Sequence, residues 1–589
     1  MTRHRIGLAL LLIATATLYV WNLGASGWAN PFYSAAAQAG GADWTAWLFG
    51  SSDAANAITV DKPPAALWLM GASARLFGVN PWSILLPQAL AGTAAVAVLY
   101  AAVRRVAGPS AGLLAGAVFA LTPAAALIFR FNNPDALLVL LLVVAAYATQ
   151  RALDASAAPW WLPLAGTAIG AAFLTKMLQA VLVVPALAGV FLLAADLPVR
   201  RRLARLGGAG AAMVVSAGWY LLLVTLRPAD SRPYIGGSQH NSILELTLGY
   251  NGIGRLTGKE TGGLGNLNFD VGWTRLFGPE MGGHIAWLLP AAAIAIIAGL
   301  CITRAAPRTD TTRAALLLWG GWLAVTAVVF SYANGILHPY YTVALAPAIG
   351  AGLAIGTTLL WQLSTDIRAA TTLSGMVAIT TALAYVLLRR TPAWMSWLQV
   401  AALIIGIAAA LLLLVVGRLP RPVGAGVAAA AVVAALAGPG AYAIATAATA
   451  HRGAIPSVGP SGGTHFPSLF DAPHVPPELT AALRADAASY TWVGAVIGSS
   501  NAAGYQLAAG DPVMAVGGFN GTDPAPTLDR FQALVAAGRI HWFIDAGMPM
   551  FGRSSGSDAA QQIADWVAES FLAQVVGGVT VYDLSVGHS

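Results

Sequence analysis

The sequence predicts a polytopic α-helical membrane protein of about thirteen transmembrane helices, followed by a soluble α/β domain. Three observations lead there. Of its 589 residues 57% are hydrophobic and only 9% charged, with a mean hydropathy of +0.70, which leaves too little polar surface to cover a water-soluble fold of this size. Apolar runs long enough to cross a hydrocarbon layer recur as far as Ala447. Beyond that point the chain turns Pro- and Gly-rich and then alternates short strand-like and helical runs.

The apolar runs fall at 6–23, 83–103, 111–129, 135–150, 160–174, 178–195, 207–226, 284–302, 314–332, 343–363, 370–388, 393–416 and 423–447. The first follows Arg3 and Arg5, as a signal peptide would. It reads better as a retained anchor, because the loop it launches has to be held at the membrane. The 31 Lys and Arg against 24 Asp and Glu give a net charge of +7. These cations are scattered at span ends rather than gathered on one face, which argues against nucleic acid and for topology signals.

If the spans simply alternate, Arg3, Arg5, Arg104, Arg105, Arg151, Arg200, Arg201, Arg202, Arg205, Arg304, Arg308, Arg313, Arg368, Arg418 and Arg421 share the cytoplasmic side. Lys62, Arg75, Arg130, Lys176, Arg227, Arg232, Arg255, Lys259, Arg275, Arg389 and Arg390 then face outward. That is more than topology needs, and an anionic ligand is the obvious reason. One cysteine, Cys301, excludes a disulfide framework and reads as a small core residue.

The first outward loop, 24–80, is too long for a tight connection and too rich in Trp, Phe and Tyr for a disordered one. At its centre Asp61-Lys62-Pro63-Pro64 sets an acid beside a base, with two prolines stiffening the chain where it re-enters an apolar segment. Three more outward segments can converge on it: the turn Arg130-Phe131-Asn132-Asn133-Pro134-Asp135, the Gly- and Asn-rich loop 227–283, and S-Y-A-N-G-I-L-H-P-Y-Y at 331–341. The G-x-G pieces near Asn251 lack the βαβ context of a dinucleotide site and read as a flexible lid.

Residues 451–476 read as a linker and 477–589 as an extracytoplasmic α/β domain. Its strand-like runs are Y-T-W-V-G-A-V-I-G, D-P-V-M-A-V-G-G-F, R-I-H-W-F-I-D-A-G and V-T-V-Y-D-L, with helical runs at 528–537 and 559–571. It shows no evident nucleophile, metal set or phosphate loop, so its expected role is to position an acceptor or partner.

Tyr33, Trp44, the L-F-G before D-K-P-P, and the following L-F-G-V-N-P-W-S-I-L-L-P-Q together resemble the C-type (GT-C) membrane glycosyltransferases of the protein-mannosyltransferase and lipid A aminoarabinose-transferase superfamily, glycosyltransferase family 39-like. The G-G-S-Q and L-G-Y-N-G-I-G-R-L-T-G segments, H-P-Y-Y-T-V-A-L-A-P-A-I and D-P-V-M-A-V-G-G-F extend the resemblance to the bacterial putative-mannosyltransferase branch, which carries an extracytoplasmic C-terminal α/β domain. The resemblance implies a GT-C domain over 1–450 in the bacterial cytoplasmic membrane. It also implies a polyprenyl-phosphate-linked sugar as donor, and an acceptor in the cell envelope, whether glycan, lipid or protein, glycosylated with inversion.

Such a transfer needs cations to neutralise the phosphate that leaves and a carboxylate to take the proton of the incoming hydroxyl. The outward candidates for the phosphate or substrate are Lys62, Arg130, Lys176, Arg255 and His338, with Tyr33 and Tyr340. The superfamily places an acid shortly before the loop tyrosine, but here Ala29-Asn30-Pro31-Phe32 precede Tyr33. Asp61 and Asp135 remain as bases, with Asp53 and Glu245 in reserve. Asp135 doubles as a helix cap, and Arg130 and Lys176 double as snorkelling span-end residues. Asp61, His240 and Glu245 offer a divalent metal set, although one histidine in a ligand-poor stretch favours a structural role. The alternative function, a transporter or flippase of lipid-linked saccharide, would place its polar residues at the membrane midplane, often in two related halves. No repeat is evident here, and the polar residues gather at one face.

Overall fold

The structure is a computed structural model that describes residues 3–154, 156–259, 270–460, 472–546 and 556–586. Eleven helical stretches among these residues are long and apolar enough to cross a membrane. The difference from thirteen arises in two places. Residues 111–129 are not one helix: Pro109–Ala120 ends, Thr122 is extended, and Pro123–Ile128 restarts, because Pro123 donates no N–H and pushes the residue before it out of the helical region. Trp161–Ala194 is a single stretch of 34 residues by hydropathy, yet Met177 breaks it at φ 46°. Leu162 from its start shares an apolar cluster with Phe191 and Ala195 from its end, so the chain doubles back there, and the two arms are the separate runs 160–174 and 178–195 of the sequence.

The helical core closes around Trp287, Trp319 and Trp322, all buried. Large apolar side chains such as Val215, Leu222, Ile404 and Leu411 cover the outside, as a lipid-facing surface requires. Cys301 is on that exposed surface rather than in the core.

Loop 24–80 folds into the helices Pro31–Ala42, Trp44–Phe49 and Ala65–Phe77. Asn30 caps the first by accepting from the Phe32 N–H, with Pro31 at the first helical position, and Asp43 caps the second by accepting from Ala46. The span between the second and third helices is pinned to loop 227–283 by a parallel bridge from Ile58 to Tyr234, with a hydrogen bond of 2.8 Å from Thr59 N to Tyr234 O. The L-G-Y-N-G-I-G-R segment is helical, Leu246–Ile253 running into Gly254–Thr257. The G-G-L-G-N run that follows lies outside the described residues.

The C-terminal domain is a five-stranded sheet of order β2-β1-β3-β5-β4, with β1 Trp492–Ile497, β2 Val513–Val516, β3 Ile540–Asp545, β4 Ala573–Val576 and β5 Val579–Asp583. β1 pairs in parallel with β2 and β3, while β5 is antiparallel to both β3 and β4. Four strands fall in the expected runs. The fifth, β4, leads into β5 through a turn in which Gly577 and Gly578 both have positive φ.

This domain rests directly on the membrane half. Helix Ser499–Ala509 lies against Pro31–Ala42, and Gln506 Nε2 donates to Ala35 O and Ser52 O, each at 3.1 Å. The start of the expected linker is also packed down, with His451 N donating to Ser26 Oγ and Gly453 N to Ala29 O.

Candidate active site

Pro63 and Pro64 lead straight into helix Ala65–Phe77, which leaves Asp61 and Lys62 at the end of a stiffened segment. Asp61 is 7% and Lys62 9% exposed. Lys62 Nζ lies 2.9 Å from Asp61 Oδ2 and 2.8 Å from Asn251 Oδ1, while Asn251 Nδ2 donates to the Asp61 carbonyl at 2.7 Å. The helical turn of the second loop thus fixes the acid-base pair of the first.

Two cavities meet at Lys62. One is a polar chamber lined by Asp61, Lys62, Tyr33, Arg255, His338 and Tyr340. The other shares Lys62, Arg255, Ile336 and Tyr341 with it, adds Lys176, and runs off between Leu178, Leu182, Leu256, Val329, Phe330 and Leu337. A cationic threshold therefore separates a chamber fit for polar groups from a slot fit for hydrocarbon. Arg255 holds its place by donating to Ile336 O at 3.1 Å, with its guanidinium over the Tyr250 ring.

Desolvation, followed by the Arg255, Lys176 and Lys62 charges, pushes the His338 pKa well below the usual histidine value. His338 is therefore a neutral ring, stacked on Tyr340 at 5.3 Å, and can meet a phosphate only as an N–H donor. Burial, reinforced by Asp61, raises the Tyr33 phenol well above its ordinary value and keeps it a hydrogen-bond donor.

Other expected residues are placed elsewhere. Asp135 is fully buried, with Lys176 Nζ at 2.7 and 2.6 Å from its two oxygens. It lines neither cavity, whereas Lys176 reaches the apolar slot and lies 3.3 Å above the Tyr341 ring. Arg130 is not brought to the chamber: its guanidinium donates to the carbonyls of Leu18, Tyr19 and Ala447, tying the first and last spans together. Asp53 is buried against the C-terminal domain, accepting from Trp492 Nε1 at 3.0 Å. His240 Nδ1 does lie 3.2 Å from Glu245 Oε2, but the Glu245 oxygens also accept the Gln239 and His240 N–H groups. Asp61 faces the Lys62 ammonium, which opposes a second cation there, and no group of three His, Cys, Asp or Glu side chains able to hold a metal forms among the described residues. This donor set does not fit a divalent ion.

Sequence reasoning missed Asn251, Tyr250 and Tyr341, although each stands in a segment it singled out. It also missed Ala454, Ile455, Phe519 and Asn520, which close the chamber from the linker and the C-terminal domain.

Comparison with known proteins bears on what this arrangement is. Residues 61–220 match the family described as dolichyl-phosphate-mannose-protein mannosyltransferase, and residues 479–570 match the putative mannosyltransferase YkcB-like C-terminal family. Putative mannosyltransferase YkcB of Bacillus subtilis (strain 168) is 31% identical over 96% of this chain and 91% of its own length. Putative mannosyltransferase YycA of the same organism is 28% identical over 96% of this chain and 94% of its own length. The crystal structure of ArnT from Cupriavidus metallidurans bound to undecaprenyl phosphate superposes with a TM-score of 0.56 at 18% identity, covering 99% of each chain. With both halves matched in one relative along nearly its whole length, this multi-pass membrane protein belongs to the GT-C glycosyltransferases, in the mannosyltransferase branch that carries a YkcB-like C-terminal domain.

Proposed function

We propose that the protein transfers a single sugar from a polyprenyl-phosphate carrier to an acceptor outside the cytoplasmic membrane, inverting the anomeric carbon. The observation that carries this reading is the meeting of an apolar slot and a polar chamber at Lys62 and Arg255. A carrier lipid fits that division: isoprenoid in the slot, phosphate on the cations, sugar in the chamber. The ArnT structure with undecaprenyl phosphate supports a ligand of this class.

The acceptor oxygen attacks the anomeric carbon from the face opposite the phosphate, and its proton passes to Asp61. The carbon–oxygen bond to the phosphate breaks with its electron pair, and polyprenyl phosphate leaves with one more negative charge. Lys62 and Arg255 neutralise that charge, with His338 N–H and Tyr33 O–H as further donors. Asp135 holds Lys176 at the threshold.

Purified protein is incubated with radiolabelled polyprenyl-phosphate sugars, one sugar at a time, and a cell-envelope fraction as acceptor. One label is expected to leave the lipid. Retention of every label on the lipid, by protein that is folded and binds polyprenyl phosphate, overturns the reading.

A further inference from the structure

We infer that Phe519 and Asn520, carried by the C-terminal domain, form the acceptor subsite of the chamber and select an uncharged, hydroxylated ring, that is, a glycoside. The inference rests on the transfer reaction proposed above and names the residues that choose its acceptor.

The two residues belong to the loop that follows β2. This loop sits at the carboxyl ends of parallel strands, where β1 has β2 on one side and β3 on the other. Open α/β sheets place ligands at that edge, and here the edge faces the membrane domain. The Phe519 ring packs on Phe32 at 5.0 Å, and Phe32 on Tyr33 at 5.1 Å. Phe519 and Asn520 therefore line the same chamber as Asp61.

The loop is held in register with the base. Asp523 Oδ2 accepts from Gly237 N at 2.7 Å, and Gln239 Nε2 donates to Thr522 O at 3.1 Å. Gly237 has φ +76°, and a Cβ on it would stand 3.2 Å from the Asp61 Cβ. The loop thus bonds to a glycine at which any side chain would crowd Asp61. A hydroxyl bound in the chamber beside Asp61 meets a wall that includes Phe519 and Asn520.

Their chemistry defines what passes. The cations of the chamber come from the membrane domain, and the two C-terminal-domain residues that line it are a ring and a carboxamide. Asp523 is turned to Gly237 and does not line the chamber. A flat apolar face beside a group with two donors and an acceptor matches the C–H face and hydroxyls of a pyranose. A charged acceptor would leave its charge unmatched at this wall.

The test uses the full chain in nanodiscs with radiolabelled polyprenyl-phosphate sugars, and octyl glucoside and octyl mannoside below their micellar concentrations as acceptor probes. Phe519→Ala and Asn520→Ala should each raise the KM for glycoside about tenfold or more. The KM for the lipid donor and the slow hydrolysis to free sugar should stay within about twofold of wild type. Phe519→Tyr, which keeps the ring, should restore acceptor KM and so separates loss of the subsite from loss of the fold. If both alanine variants keep wild-type acceptor KM, or if wild type consumes the donor yet labels neither glycoside, the inference falls and the transfer reaction stands. If wild type consumes no lipid donor, the transfer reaction falls and takes the inference with it.

Discussion

Lys176 Nζ lies 2.6 Å from one oxygen of Asp135 and 2.7 Å from the other, and Asp135 has no exposure. The pair joins the start of helix Asp135–Ala152 to the end of helix Trp161–Lys176, where the chain doubles back. A buried pair of this kind is costly to break by removing one partner, because the other charge is left uncompensated, roughly 3–5 kcal/mol. Asp135→Asn should therefore lower the melting midpoint sharply in detergent, and Lys176→Met should do the same. The double variant should be milder than the sum of the two. Strict additivity in that cycle would show that the two charges do not depend on each other.

The C-terminal domain docks through two buried carboxylates. Burial pushes Asp53 up to about 6, against hydrogen bonds from Trp492 and the backbone of Ala55 and Ala57. Burial, then the Asp61 and Glu245 charges, push Asp523 up to about 7 against the Gly237 N–H. The ordinary value of both is 3.8. Since the docked form binds these protons more tightly, their contribution to docking is fully present below pH 3.8. It is lost as pH rises through about 6 for Asp53 and about 7 for Asp523. Spin labels on the two halves should show a tighter distance distribution at pH 5.5 than at pH 8, and Asp53→Asn with Asp523→Asn should flatten the difference. A tighter distribution at pH 8 in the unsubstituted protein would reverse the sign and sink the idea.

The placement of the chamber outside the cytoplasm rests on the arginines at span ends. In a Cys301→Ala background, cysteines at the exposed positions Ser231 and Ser585 should react with an impermeant maleimide in intact cells. One at the exposed Thr309 should react only after permeabilisation. Labelling of Thr309→Cys alone in intact cells would invert the orientation.

What the sequence revealed follows the range of the interactions. Spans and strands repeat a local pattern, so most were visible, and the Pro-Pro context marked Asp61 and Lys62. The doubling back at Met177 showed as the gap between the apolar runs 160–174 and 178–195. β4 hid because A-Q-V-V is short, although the V-G-G-V turn beside it is a hairpin signal. Arg130 misled because a guanidinium that ties carbonyls together has the same sequence as one that binds phosphate. Contacts such as Trp492 to Asp53, separated by 439 positions, leave no local trace. The C-terminal domain was therefore assigned a positioning role without any sign that it closes the chamber.

The assignment of the base turns on which acid is available to a hydroxyl. Asp135 is enclosed by Lys176 and lines neither cavity, whereas Asp61, paired with Lys62, lines the chamber. Pro63 and Pro64 stiffen its backbone, Asn251 holds its carbonyl, and a side chain at Gly237 would crowd its Cβ. Its carboxylate therefore needs little reorganisation to meet an acceptor. Asp61→Asn removes the proton acceptor and keeps the shape, so turnover should fall by roughly two to four powers of ten, with the lipid-donor KM within about threefold of wild type. Asp135→Asn should lose less turnover once corrected for the folded fraction, and should lose mainly stability. If Asp61→Asn kept near-normal turnover while Asp135→Asn abolished it in folded protein, the roles would be exchanged: Asp61 would be the anchor that holds Lys62 at the phosphate, and the proton would have to leave through the Asp135–Lys176 pair.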